Sequence, residues 1–173
     1  MKYFDGYYLI RILVSASVLG LGFTTQIYAA TDTDQFDVTI TIVSTCAIDA
    51  ATAGDVDFAS QASTATNIQV STASISVTCT SGTPYSIALN DGANADGTSR
   101  RMQGQSVGTD FVAYELYSDA YTTLWGDGTT FGAEKGGLTG NGLAQGHTIY
   151  AQVPSANFPA QNYEDTVTAT VTW

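Results

Sequence analysis

The chain is poor in the residues from which most active sites are built. Among its 173 residues there is one histidine, His147, and there are two cysteines, Cys46 and Cys79. A Ser-His-Asp set needs a histidine held between a nucleophile and an orienting acid, and the neighbours of His147 offer no such order. It opens the predicted strand HTIYAQV, where a surface or capping role is expected. The protein therefore reads as no enzyme, with no cofactor. Metal-ligand spacing is missing too. The loop Asp91-Gly92-Ala93-Asn94-Ala95-Asp96-Gly97 has the composition of a calcium loop, but the third, fifth and twelfth positions of an EF-hand counted from Asp91 fall on Ala93, Ala95 and Met102. Asp55 and Asp57 alternate along one short strand without partner ligands in view. Neither pair of acids is assigned a metal.

Bases are scarce as well, 5 Lys+Arg against 16 Asp+Glu. Taking away Met1–Ala29 removes Lys2, Arg11 and Asp5, which leaves Arg100, Arg101 and Lys135 against fifteen acids and a net charge of −12. Phosphate backbones and anionic lipid surfaces repel such a chain, which excludes nucleic acid and the membrane surface as partners. The charge reads as solubility outside the cell. Long apolar runs are absent: Ile12–Phe23 is twelve residues, short of the roughly 20 that span a bilayer. With Lys2 and Arg11 flanking a charged start and Ile27-Tyr28-Ala29 at its end, it reads as a secretory signal peptide, residues 1–29, cleaved after Ala29 or, next in line, Ala30. No integral membrane segment remains in the mature chain. In an oxidising compartment an even cysteine pair without CxxC spacing or a histidine cluster reads as one structural disulfide, Cys46 with Cys79.

A helical period is also lacking, and the period that is present is two. Ile68 and Val70, then Ile75, Val77 and Cys79, then Tyr85, Ile87 and Leu89, then Phe111, Ala113 and the pair Tyr114 to Tyr117, then Ile149, Ala151 and Val153, and last Val167, Ala169, Val171 and Trp173 alternate with polar residues. This is the pattern of half-buried antiparallel strands. TSGTP at 80–84, NDGANADG at 90–97, GDGTTFG at 126–132 and GGLTGNG at 136–142 read as turns and loops between them. Several short strands, turn signals and a cysteine pair predict one all-β, immunoglobulin-like sandwich. Tyr163 has the place of a corner tyrosine just ahead of the last strand. If residues 165–173 are that sandwich's strand F, no strand G follows, and the incomplete fold keeps a groove of unpaired backbone and apolar side chains.

The opening stretch QFDVTITIVSTC, residues 35–46, puts Phe36, Val38, Ile40 and Ile42 on one side of an extended chain. Four large apolar residues at alternate positions are what a strand needs to enter a groove at a sheet edge. They equally suit the first strand of the chain's own domain, and the pattern alone leaves both open. Tyr117, Tyr121, Trp125 and Phe131 form a second cluster. Such aromatics stack on sugars or contact apolar surfaces, or else plug one end of a sandwich core.

Several of these stretches together resemble the spore coat protein U domain, and more narrowly the pilin subunits of archaic, Csu-like chaperone-usher pili. They are DVTITIVSTCAI at 37–48, SISVTCTSGTPYSIALNDGANADG at 74–97 with RRM at 100–102, YELYSDAYTTLWGDG at 114–128 and YEDTVTATVTW at 163–173. The likeness runs over about residues 35–173. Its most specific parts are LY-x-D followed by WG, VTCT with its cysteine, and the D-x-V-T-x-T-V ending. Gln161-Asn162, ahead of Tyr163, departs from the glycine often found there. The resemblance implies an incomplete immunoglobulin-like domain at 45–173, lacking its last strand, with residues 30–44 as an N-terminal donor extension. It implies that a periplasmic pilus chaperone lends a strand, that an outer-membrane usher exchanges it, and that Phe36, Val38, Ile40 and Ile42 then fill the groove of a neighbouring subunit in a head-to-tail homopolymer. It places the Cys46–Cys79 bridge between the first strand and its neighbour. The function implied is that of a structural subunit of a surface fimbria that supports adhesion and biofilm formation. The alternatives are a secreted coat or matrix protein, or a minor adaptor or adhesive subunit that binds through its aromatic loops.

Overall fold

The computed structural model describes residues 28–50 and 55–173. The expected signal-peptide core, Ile12–Phe23, lies outside the described residues. The chain divides into two compact units, Met1–Ile40 and Thr41–Trp173. In the first, residues 28–40 are exposed and carry no strand. The second begins at Thr41, and Thr41–Ser44 are likewise exposed and carry no strand. No helix among the described residues is long and apolar enough to cross a membrane.

Among the described residues of the body there are eleven strands, all of them antiparallel in their pairings. β1 (Cys46–Asp49) lies on β3 (Ser74–Cys79), which continues from β2 (Thr66–Val70). β8 (Ala144–Thr148) runs on into β9 (Tyr150–Ser155) and pairs with both: Val70 faces Ala151 and Ser74 faces Thr148, a slip of one residue bridged by Ile149 N donating to Ala73 O at 2.9 Å. This bulge bends one long ribbon and joins two sheet segments. β6 (Phe111–Tyr117), β5 (Arg100–Gly104) and β10 (Tyr163–Glu164) extend the layer beyond β9. The smaller layer is β11 (Ala169–Thr172), β4 (Pro84–Leu89) and β7 (Lys135–Thr139). The result is an all-β, immunoglobulin-like sandwich.

The core follows from the period of two. Ile75, Val77 and Cys79 of β3 meet Tyr85, Ile87 and Leu89 of β4, and Val112, Tyr114, Leu116, Ala151 and Val153 complete the cluster around Trp125. Fully burying each large member is worth about 1.5–3 kcal/mol. Cys46 and Cys79 form the disulfide, directly opposite each other on β1 and β3. Tyr163 donates from its hydroxyl to Pro159 O at 2.9 Å, four residues upstream, the bond that defines a tyrosine corner.

Four expectations are corrected. On β6 the inward set is Val112, Tyr114 and Leu116, not Phe111 and Ala113; Phe111 is kept on the outer face by the Arg101 guanidinium, 4.4 Å from its ring centroid. GGLTGNG is not all turn, since Lys135–Thr139 is an edge strand paired with β4. Residues 165–168 are not strand; only Ala169–Thr172 pairs with β4. His147 is not at the surface but buried, because β8 turns it toward Tyr85, whose hydroxyl lies 2.9 Å from Nε2.

That last contact bridges the two layers and makes stability sensitive to acid. Burial first, and then the positive charge of Lys135, hold His147 below its ordinary value of 6.5. Protons therefore bind the unfolded chain more readily, so the contribution is complete above about pH 6.5 and is lost as pH falls below it. Asp119 releases stability only further down, because bonds from Thr123 and Thr122 lower it to about 2 from 3.8. Between about pH 7 and pH 5 the thermal midpoint should fall, and His147→Gln should flatten that fall; an equal slope in the variant would remove His147 as its cause.

Candidate functional site: an uncovered groove between two sheet edges

β1 ends the large layer, bonded to β3, and β11 ends the small one, bonded to β4. The two strands come within 8 Å of each other between Cα atoms but share no ladder. Their inward residues betray the missing cover: Ile48, Ala169 and Val171 are only half-buried, whereas Ile75 and Ile87 on the neighbouring strands are 1% and 0% exposed. Beyond Ala50, just past the end of β1, and Ala169, at the start of β11, opens a cleft of about 510 Å³. One wall is Ala50, Asp55, Val56 and Phe58, the other is Tyr163–Val167 and Ala169, and the floor is core: Ile75, Leu89, Leu116 and Met102 among them. A second cleft of about 660 Å³ carries on over Ile68, Val112 and Val153 to Phe158 and Tyr163. Val56, Phe58, Met102 and Tyr163 line both, so the two form one groove along the open side of the sandwich.

Each wall is held at its end. Thr80 anchors the start of β1: its N–H donates to Thr45 O at 3.0 Å, and its hydroxyl accepts from Thr45 N at 3.1 Å, directly beside the disulfide. Gly140 packs so close that a Cβ there would press on Thr80 O at 2.5 Å. The β11 wall is fixed by the NDGANADG loop. Asn90 Oδ1 accepts from Thr168 N at 2.8 Å and Gly92 N at 3.2 Å, and Ala93 N donates to Thr166 O at 3.1 Å. Asp165 accepts from the Tyr114 hydroxyl at 2.6 Å and from Asn94 N and Nδ2 at 3.1 and 3.0 Å. Burial, and then this carboxylate, push the Tyr114 phenol far up, so it stays a neutral donor. Gly92 sits at φ +86°, and a Cβ there would collide with the Asp165 carboxylate. Only glycine serves at that place.

Under the loop lies Arg100, 2% exposed. It donates from Nε to Asn90 O at 3.0 Å, from Nη1 to Trp125 O at 2.9 Å, and from Nη2 to Leu89 O and Asn90 O at 3.1 and 2.7 Å. A residue counted above as a surface charge is in fact the staple between β5, the end of β4 and the loop that carries the groove wall. Only its place in the resembling stretch hinted at this.

The aromatic cluster does not form one surface. Trp125 is fully buried and donates from Nε1 to Ile87 O at 2.8 Å. Tyr121 packs edge-on against Tyr117 and Tyr150, with centroids 5.9 and 5.5 Å apart, while Phe131 lies 5.5 Å from the Arg100 guanidinium. Asp55 and Asp57 flank an extended stretch outside any strand. Among the described residues no three His, Cys, Asp or Glu side chains group to hold a metal. Phe36, Val38, Ile40 and Ile42 are 87%, 85%, 86% and 76% exposed.

The family model for the Spore Coat Protein U domain matches residues 32–170. Among solved structures, the chain is similar to one chain of the crystal structure of the CsuC-CsuE chaperone-tip adhesion subunit pre-assembly complex, from the archaic chaperone-usher Csu pili of Acinetobacter baumannii. The identity is 26% and the TM-score 0.57, over 77% of this chain and 41% of that one. The chain thus spans less than half the length of the structure it matches. No curated protein matches it.

Proposed function

This chain belongs to the Spore Coat Protein U family, and from that premise we propose that it is a structural subunit of a chaperone-usher pilus that polymerises by lending Phe36–Val43 to the groove of the next copy. One observation carries the reading: a groove floored by core residues lies open between the Asp55–Phe58 stretch and Tyr163–Val167, in a chain that also exposes four large apolar side chains at alternate positions. Strand addition satisfies both. The entering backbone pairs with open sheet edges, and alternate side chains fill the pockets below. Burying the four is worth about 6–12 kcal/mol before the ordering of the strand is subtracted. Before assembly the same groove suits a strand lent by a periplasmic chaperone, with exchange at an outer-membrane usher. Contacts of this kind repeat head to tail without closing, which makes a fibre at the cell surface. Adhesion and biofilm support follow from the fibre, with this chain as its shaft or an adaptor. The buried Trp125 weighs against an adhesive role through the aromatic loops.

The test is photocrosslinking of fibres that carry Phe36→p-benzoylphenylalanine. Links between copies, mapping to groove residues such as Val167 or Phe58, are expected. Links confined to one chain would mean that the strand folds back on its own sheet, as in a coat or matrix protein that never polymerises.

A further inference from the structure

The groove wall at Asp55–Phe58 differs from the other walls. Its side chains alternate as in a strand, with Asp55 and Asp57 exposed and Val56 and Phe58 half-buried against the core. Yet the segment belongs to none of the sheets. β1 is pinned covalently to β3, and β11 is in register with β4. The bonds described for Asp55–Phe58 are local: Ala59 N donates to Asp57 Oδ1 at 2.7 Å, and Gln61 Nε2 to Phe58 O at 2.5 Å. Among the described residues what holds it on the core is apolar contact, and segments held in that way open at low free energy.

Its place gives it a consequence for assembly. Val56 and Phe58 line both clefts, where the two compartments of the groove meet. Two apolar side chains spaced two residues apart repeat, on a shorter scale, the pattern of Phe36, Val38, Ile40 and Ile42. The pockets that suit one set suit the other.

We infer that Asp55–Phe58 is a displaceable wall: in the free subunit Val56 and Phe58 occupy groove positions that an entering strand takes over, and their withdrawal sets the rate of entry. The inference rests on the groove being a strand-acceptor site. The wall leaves less of the core open to other apolar surfaces, since Val56 and Phe58 already lie in the free groove.

The experiment follows entry of a fluorescent peptide of residues 34–44 into the purified full-length chain. Phe58→Ala removes the larger occupant and should speed entry roughly tenfold, the factor that matches about half the burial of a phenylalanine. Equal rates in variant and parent, with the peptide bound to both, overturn the displaceable wall alone. Binding to neither overturns the acceptor groove itself, and the wall with it. A second measurement does not depend on the stability of the alanine variant: the thiol of Phe58→Cys should be alkylated faster once peptide saturates the groove. An unchanged rate would make the segment a fixed wall and end the inference.

Discussion

Ile40→Asp is expected to stop fibre growth while leaving the folded body as stable as before. Ile40 is 86% exposed in the single chain, so the change meets no packing there, and surface substitutions of this kind move stability by no more than about 0.5 kcal/mol. In a groove floored by Ile75, Leu89 and Leu116 the same carboxylate is stripped of water without a base to meet it. The bases of the described residues are engaged elsewhere: Arg100 by backbone carbonyls, Arg101 by Asp96 at 3.3 Å, and Lys135 by Ser118 O at 2.8 Å. A penalty of about 4 kcal/mol is the scale for such burial, and it lowers the association constant by about a thousandfold. Electron micrographs should then hold no fibres, while the melting curve of the monomer stays in place. Fibres of normal length would mean that this side chain faces solvent. Deleting residues 30–43 separates strand from groove in the same way, leaving a subunit that accepts a strand and has none to give.

The second large effect is on folding. Arg100→Met should cost the body about 3–5 kcal/mol, the range for disrupting a buried charged network. The guanidinium fills its fork with carbonyls of Leu89, Asn90 and Trp125, and methionine leaves these acceptors in the interior without a donor. Each such orphan costs about 1–3 kcal/mol. Arg100→Lys should recover little, since one ammonium cannot reach around the same set of carbonyls with the planar geometry of the fork. Urea unfolding measures this: the midpoint should drop with the slope unchanged. A loss under about 1 kcal/mol would show that the staple is dispensable. Because Asn90 also holds Thr168, Arg100 variants that remain folded should accept a strand less well, and the peptide-entry assay reads that separately.

Much of the sandwich was legible in advance because antiparallel strands with one buried face print a period of two. β3, β4 and β9 carry it plainly. β6 was read in the wrong phase, since tyrosine and phenylalanine occur on both of its faces and only tertiary contacts decide which ring is buried. β5 was hidden because its sequence, RRMQG, has the look of a charged loop; its arginines turn polar groups toward carbonyls and an aromatic ring instead of toward water. β7 was hidden by Gly136 and Gly137, which promise a turn and instead make an irregularity inside a strand that pairs with β4 through Lys135, Leu138 and Thr139. The cysteine bridge beside the groove could be read from spacing and resemblance. The wall at Asp55–Phe58 could not, because a stretch held by side-chain packing without a ladder leaves no periodic signature longer than two apolar residues.

The bond at the first residue of β1 has a mechanical meaning in such a fibre. In the proposed fibre a pull along the filament would reach each body through the chain that enters at Thr45, and the next residue is tied covalently to Cys79. Force therefore passes straight into β3, whose Ile75 and Val77 are buried in the middle of the fold, and it does not peel the four-residue ladder of β1 one hydrogen bond at a time. The edge that would grip one neighbour in that fibre would thus be unloaded by the cross-link that transmits the pull of the other.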